Sequence, residues 1–99
     1  MKRAVKIPVH YSTDLWADLG FKPVEAQDLR IRSHLMIALR EFVREKKLTQ
    51  AQAAKLLGAT QPRVSDLMKG KINLFSASNL IKLLGKAGLQ VDVRIHAAA

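Results

Sequence analysis

Gln61, Arg63 and Asp66 set an amide, a guanidinium and a carboxylate on one short segment. Their donor and acceptor patterns match the edges of base pairs. The Gln61 amide suits N6 and N7 of adenine, and the Arg63 guanidinium suits O6 and N7 of guanine, or a phosphate. The Asp66 carboxylate can accept from N4 of cytosine. Asp66 also has Arg63 and Lys69 within reach along a helix, so an intrahelical ion pair stands beside base contact. Pro62 offers an apolar surface to a thymine methyl. Ser65 is small enough to contact a phosphate or to allow close approach. Thr60, Lys69, Lys71 and Asn73 flank this group, and Gln50 and Gln52 precede it. These residue types hold phosphates and fix register without reading sequence.

The rest of the reactive inventory points away from catalysis. His10, His34 and His96 are far apart and lack the spacing of metal ligands. Asp14 and Asp18 form an i, i+4 acid pair with no nucleophile or base nearby. There is no cysteine, which excludes disulfides and thiolate sites. No glycine-rich loop could cradle a nucleotide, because glycines 20, 58, 70, 85 and 88 fall mostly at helix ends. No enzyme activity, catalytic residue, metal or cofactor is expected.

Two short helices and a tight turn must position the polar group. Thr49 caps the first helix through its hydroxyl. Ala53, Ala54, Leu56 and Leu57 form its apolar face, and Gly58 ends it in the left-handed conformation. Thr60 caps the second helix, and Pro62 occupies its first turn, where a missing N–H is harmless. Val64, Leu67 and Met68 fall at i, i+3 and i+4 and point inward, and Gly70 stops the helix. Gln61, Arg63, Ser65 and Asp66 are left facing out. A capped helix, a glycine turn and a second helix with a polar outer face make the helix-turn-helix arrangement that enters the major groove. A plain helical hairpin is the alternative, and the charge disfavours it.

The flanking segments read as support. Residues 24–47 form the longest helix, with Leu29, Arg32, Leu35, Met36, Leu39, Phe42 and Val43 at helical spacing. Ser76 caps a further helix over 77–87, whose core is Leu80, Ile81, Leu83 and Leu84. Residues 89–95 alternate, with Leu89, Val91, Val93 and Ile95 on one face of a half-buried strand. A lone strand needs a neighbour. The candidates are the alternating segment 4–9, itself either an edge strand or an arm, and the same strand of a second subunit. Residues 14–20 read as a short helix whose Leu15, Trp16 and Leu19 either pack in the core or anchor a partner. The organisation is an arm with a short helix over 1–23, a helix-turn-helix domain over 24–88, and a strand and tail over 89–99.

Ninety-nine residues suit one domain with a modest core. Seventeen lysines and arginines against eight acids give a net charge of +9, a field that attracts polyanions. No apolar run approaches the roughly 20 residues of a membrane span. The start has basic residues without a following apolar stretch, unlike a secretion signal. A cytoplasmic location is expected.

The segment 48–71 resembles the Cro-type, or XRE-type, helix-turn-helix repressors. The resemblance rests on Leu48, Thr49, Gln50, Ala53, Ala54, Leu57, Gly58, Val64 and Gly70. It implies a mostly α, five-helix, lambda-repressor-like domain with a short C-terminal strand. It also implies phosphate binding at Gln50 and base contacts at Gln61, Pro62 and Asp66, although Pro62 departs from the polar residue common there. Residues 14–20, the long helix, the loop with Asn73 and Phe75, and the ending VDVRI extend the likeness to the HigA-type antitoxins. Such a resemblance implies a homodimer on a palindromic operator and a small basic toxin of the RelE/HigB class as partner. The alternative is a stand-alone or phage-type regulator without a toxin.

Overall fold

The long apolar stripe forms helix α1, Pro23–Glu45, in the computed structural model, which describes residues 3–7, 22–95 and 97. Pro23 starts α1, where its fixed φ is already helical. The helix stops short of residue 47 because Lys47 turns left-handed, at φ 54°. The Leu48 N–H then donates to the Val43 carbonyl and closes the end. Helix α2 is Gln50–Leu57, α3 is Gln61–Met68 and α4 is Ala77–Lys86. A 3-10 turn, Ile72–Leu74, lies in the expected loop between α3 and α4. Strands β1, Arg3–Ile7, and β2, Leu89–Val93, complete the described elements.

The described residues hold four α-helices, against the five expected. The expected helix over 14–20, with Trp16, lies outside them, as do residues 8–10 and 96. The strand expected over 89–95 ends at Val93.

Leu35, Met36, Leu39 and Val43 of α1 meet Ala53, Ala54 and Leu57 of α2, Val64 and Leu67 of α3, and Leu80 and Leu84 of α4 in one core. Small alanines on α2 let the backbones come close, and the larger side chains fill the space between helices. Phe75, only 1% exposed, plugs the end below the 3-10 turn. Two residues of the expected helical apolar faces sit outside this core, Leu56 at 43% exposed and Ile81 at 44%, and so do Val93 and Ile95 of the expected strand face. Their positions fall at the edges of stripes wider than the buried contact.

β1 and β2 pair in parallel, with Arg3 opposite Leu89 and Ile7 opposite Val93. A parallel pair needs a long crossover, and here the helical domain lies between the two strands in sequence. Leu89 is buried in the core, and β2 packs beside α4. Of the two candidate neighbours for β2, the N-terminal segment occupies one edge. No helix among the described residues is long and apolar enough to cross a membrane.

Candidate nucleic-acid interface

The α2–turn–α3 unit is specified locally. The Thr49 hydroxyl accepts from the Gln52 N–H at 3.1 Å, and the Thr49 N–H donates to Gln52 Oε1 at 2.9 Å. This reciprocal capping box satisfies two orphan donors at the start of α2. Gly58, at φ 65°, supplies the left-handed turn, and the Ala59 N–H donates to the Ala54 carbonyl. The Thr60 hydroxyl then accepts from the Arg63 N–H at 3.3 Å and opens α3.

Val64 and Leu67 anchor α3 from behind, each about 1% exposed. Burying each contributes roughly 1.5–3 kcal/mol, enough to hold a two-turn helix that would not persist alone. With that face fixed, helical spacing turns Pro62, Ser65, Asp66 and Lys69 outward as one stripe at i, i+3, i+4 and i+7. Gln61 and Pro62 are exposed, Ser65 and Asp66 are half-buried and Lys69 is exposed. Gln61 stands at the first turn beside this stripe, so five of the expected base-facing and backbone-facing side chains share one accessible side.

Arg63 is placed differently. Its side chain is half-buried, and its Nη1 donates to the Leu74 carbonyl at 2.7 Å. The guanidinium lies over the Phe75 ring at 3.9 Å, a cation–π contact. The head of Arg63 therefore braces the loop after α3, and the outward stripe forms without it. Asp66 pairs with Lys71, Oδ1 to Nζ 3.3 Å. Its partner is thus the lysine just past the helix, and neither Arg63 nor Lys69. Asn73 is exposed on the 3-10 turn, next to these residues.

Gln50 is the exposed first residue of α2, and Gln52 is exposed beside it. The Gln52 side-chain oxygen is used in the capping box, which leaves its amide nitrogen to donate. The Thr60 hydroxyl has likewise accepted one bond and retains its own proton.

Two features here were not anticipated from the residues. Arg32, read as part of the stripe of α1, sends its guanidinium to the loop. Nη2 meets Asp28 Oδ2 at 2.6 Å, and Nη1 donates to the Ile72 and Phe75 carbonyls at 3.3 and 3.4 Å. Arg32 and Arg63 thus hold the loop that carries Asn73 from two sides. The second feature is a cleft of about 610 Å³ between the turn and α4, with Thr60, Arg63, Asn79, Lys82 and Lys86 in its wall. Lys82 and Lys86 stand one helical turn apart, and that i, i+4 spacing was the available signal. Three cations beside the start of α3 extend the basic surface around the stripe.

His34 on α1 is partly buried, and desolvation holds its imidazole below the usual value of 6.5. Burial disfavours the charged form. Among the described residues no group of three histidine, aspartate or glutamate side chains is arranged to hold a metal ion.

Residues 15–96 match a family model described as a helix-turn-helix domain. A solved structure provisionally named as an XRE family transcriptional regulator is 32% identical to the chain. It superposes with a TM-score of 0.70, over 75% of this chain and 83% of its own. No curated protein matches the chain. The chain belongs to the helix-turn-helix family, and its likeness is to the XRE type.

Proposed function

We propose that this protein binds duplex DNA through the outer side of α3 and acts as a transcriptional repressor. The observation that carries the reading is the stripe of Pro62, Ser65, Asp66 and Lys69, held outward by Val64 and Leu67. Gln61 and Asp66 supply hydrogen bonds to base edges, and Pro62 supplies an apolar contact. Gln50, Gln52, Thr60, Ser65, Lys69, Lys71 and Asn73 meet the phosphates on either side. Arg63 acts first as a positioning residue. Contact with guanine would require it to leave the Leu74 carbonyl and the Phe75 ring.

The finer reading is an antitoxin in the cytoplasm. The chain would dimerise on a two-fold operator, with half-sites about 34 Å apart, and would neutralise a small basic toxin of the RelE/HigB class. Support for this comes from the resemblance of the layout to HigA-type antitoxins. The toxin would meet either the N-terminal segment with Trp16, which lies outside the described residues, or the outer face of α1.

Binding to the DNA upstream of the chain's own gene, measured by fluorescence anisotropy across salt concentrations, tests the first reading. Neutralising about six phosphates gives a log–log salt slope of roughly −5. Gln61→Ala should lower preference for that DNA over a scrambled duplex. Equal affinity for both duplexes in the unsubstituted protein would remove the sequence-specific reading. Rescue of growth from the toxin of the adjoining reading frame tests the antitoxin. A gene neighbourhood without a toxin leaves a stand-alone regulator.

A further inference from the structure

Three arginines of α1, Arg30, Arg32 and Arg40, bury an Nε that has no hydrogen-bond partner. Arg32 spends its other nitrogens on Asp28 and on the Ile72 and Phe75 carbonyls. Arg40 lies about two turns further along the helix. It makes no hydrogen bond or ion pair among the described residues. A buried donor without an acceptor is costly. Its own helix offers no acid to answer it. The residues at i−4, i−3, i+3 and i+4 are Met36, Ile37, Val43 and Arg44, and Arg44 carries the same charge.

The Arg40 guanidinium lies against Gly70, just past the end of α3. A Cβ at Gly70 would stand 3.1 Å from Arg40 Nη1, and the turn there needs a φ of 73° as well. Glycine therefore leaves room for the head group beside the loop. Lys69 and Lys71 flank Gly70 in the chain, and both are exposed. Asp66 is paired with Lys71 at 3.3 Å. Three cations thus share the end of α3 with one acid. The negative end of the α3 dipole offsets roughly half a charge, which leaves more than one to be balanced from outside. Backbone donors cannot hold the balancing anion. The N–H groups of Gly70, Lys71 and Ile72 are already spent on the Leu67, Asp66 and Gly70 carbonyls.

We propose that Arg40 is a phosphate ligand for duplex DNA, gripping the backbone from α1 at the C-terminal end of α3. The proposal rests on the reading that α3 meets DNA, and it adds a contact from outside the helix-turn-helix. Arg40 Nε is enclosed by the protein, while its terminal nitrogens reach the surface. A planar fork seated on Gly70 is held ready for a phosphodiester oxygen. Lys69 belongs to the outward stripe of α3, so the site continues the surface already assigned to DNA.

The test is fluorescence anisotropy of the full-chain Arg40→Met variant on upstream and scrambled duplexes across salt concentrations. Methionine keeps part of the stem and removes the charge. The log–log salt slope should become shallower by about 1. Affinity should fall alike on both duplexes, by about eightfold at 0.1 M salt, the counterion-release contribution of one phosphate. Arg40→Lys keeps the charge and should restore the slope. Arg94→Met removes an exposed cation near the C-terminal strand and should leave the slope unchanged. Thermal unfolding without DNA checks that each variant is folded. An Arg40→Met slope equal to the parent's overturns the proposal, whatever its melting temperature, because a residue that only braces α3 binds no phosphate. An equal loss in Arg94→Met, or a failure of Arg40→Lys to restore the slope, overturns it too. Inorganic phosphate, compared with chloride at matched ionic strength, supplies the last arm. Phosphate stabilisation that Arg40→Met abolishes, with DNA binding unchanged, would assign the site to a free anion and overturn the DNA contact. If the unsubstituted protein binds no duplex, the proposed function falls as well. If Lys71→Ala flattens the slope and Arg40→Met does not, Arg40 alone falls.

Discussion

Arg63→Ala separates two roles for a guanidinium at the edge of the interface that the protein already uses to hold its own loop. In the free protein its Nη1 is 2.7 Å from the Leu74 carbonyl, and its charge lies 3.9 Å from the Phe75 ring centre. A hydrogen bond from a charged donor contributes about 1.5 kcal/mol at the low end, which suits this solvent-facing bond. The cation–π contact adds about 0.5–1 kcal/mol at an exposed site. Holding a long side chain in one rotamer costs up to about 1.5 kcal/mol. The net loss on truncation is then about 1 kcal/mol, which lowers the melting temperature of a domain this size by about 4–8 °C. Arg63→Lys keeps the charge but not the planar fork, so it should fall between the two. Thermal unfolding without DNA supplies the number. Anisotropy on upstream and scrambled duplexes then shows whether affinity falls alike on both, as a loosened loop predicts. Stability within about 0.5 kcal/mol of the parent, the range of ordinary surface changes, with a lost base preference only, would refute the bracing role.

Phe75→Ala removes a fully buried ring and the seat of Arg63, and should cost about 3–5 kcal/mol in urea unfolding. Lys71→Ala should weaken binding to all duplexes alike and make the log–log salt slope shallower by about 1; anisotropy over a salt series measures this. His34 has a lowered pKa in the folded chain, so the unfolded chain takes up its proton first as pH falls. Stability from this group is fully present above 6.5, the unfolded value, and declines as pH drops below it. His34→Gln should flatten that acid limb in melting temperatures recorded from neutral to mildly acidic pH.

The elements around the interface were readable because their signals are local. Thr49, Gly58, Thr60, Pro62 and Gly70 mark boundaries through chemistry that acts within one helical turn, and the structure places caps and turns there. Thr49 and Gln52 even carry the spacing of a capping box. Tertiary contacts are another matter. Nothing in the spacing of Arg63 and Leu74, eleven residues apart, foretells that a guanidinium folds back onto a carbonyl. Asp66 chose Lys71 over Arg63 and Lys69 because the turn at Gly70 brings that lysine back over the helix end. Leu56 and Ile81 show the same limit from the apolar side: periodicity marks a face, while the neighbouring helices decide how much of it is covered. Alternation in residues 89–95 and 4–9 announces strands, yet parallel pairing depends on where the intervening helices carry the chain. The expected base and phosphate contacts concern a partner molecule, and their chemistry remains the proposal made above.

An amide-resolved NMR titration of the full chain with its own upstream duplex tests the central claim most directly. The account predicts that the largest shifts gather on Gln50, Gln52 and the run from Thr60 through Lys71, with Asn73 beside them. Val64 and Leu67 should keep their slow hydrogen exchange, because the back of α3 stays in the core. Saturable binding with shifts confined elsewhere, leaving Gln61, Ser65 and Asp66 untouched, would contradict it.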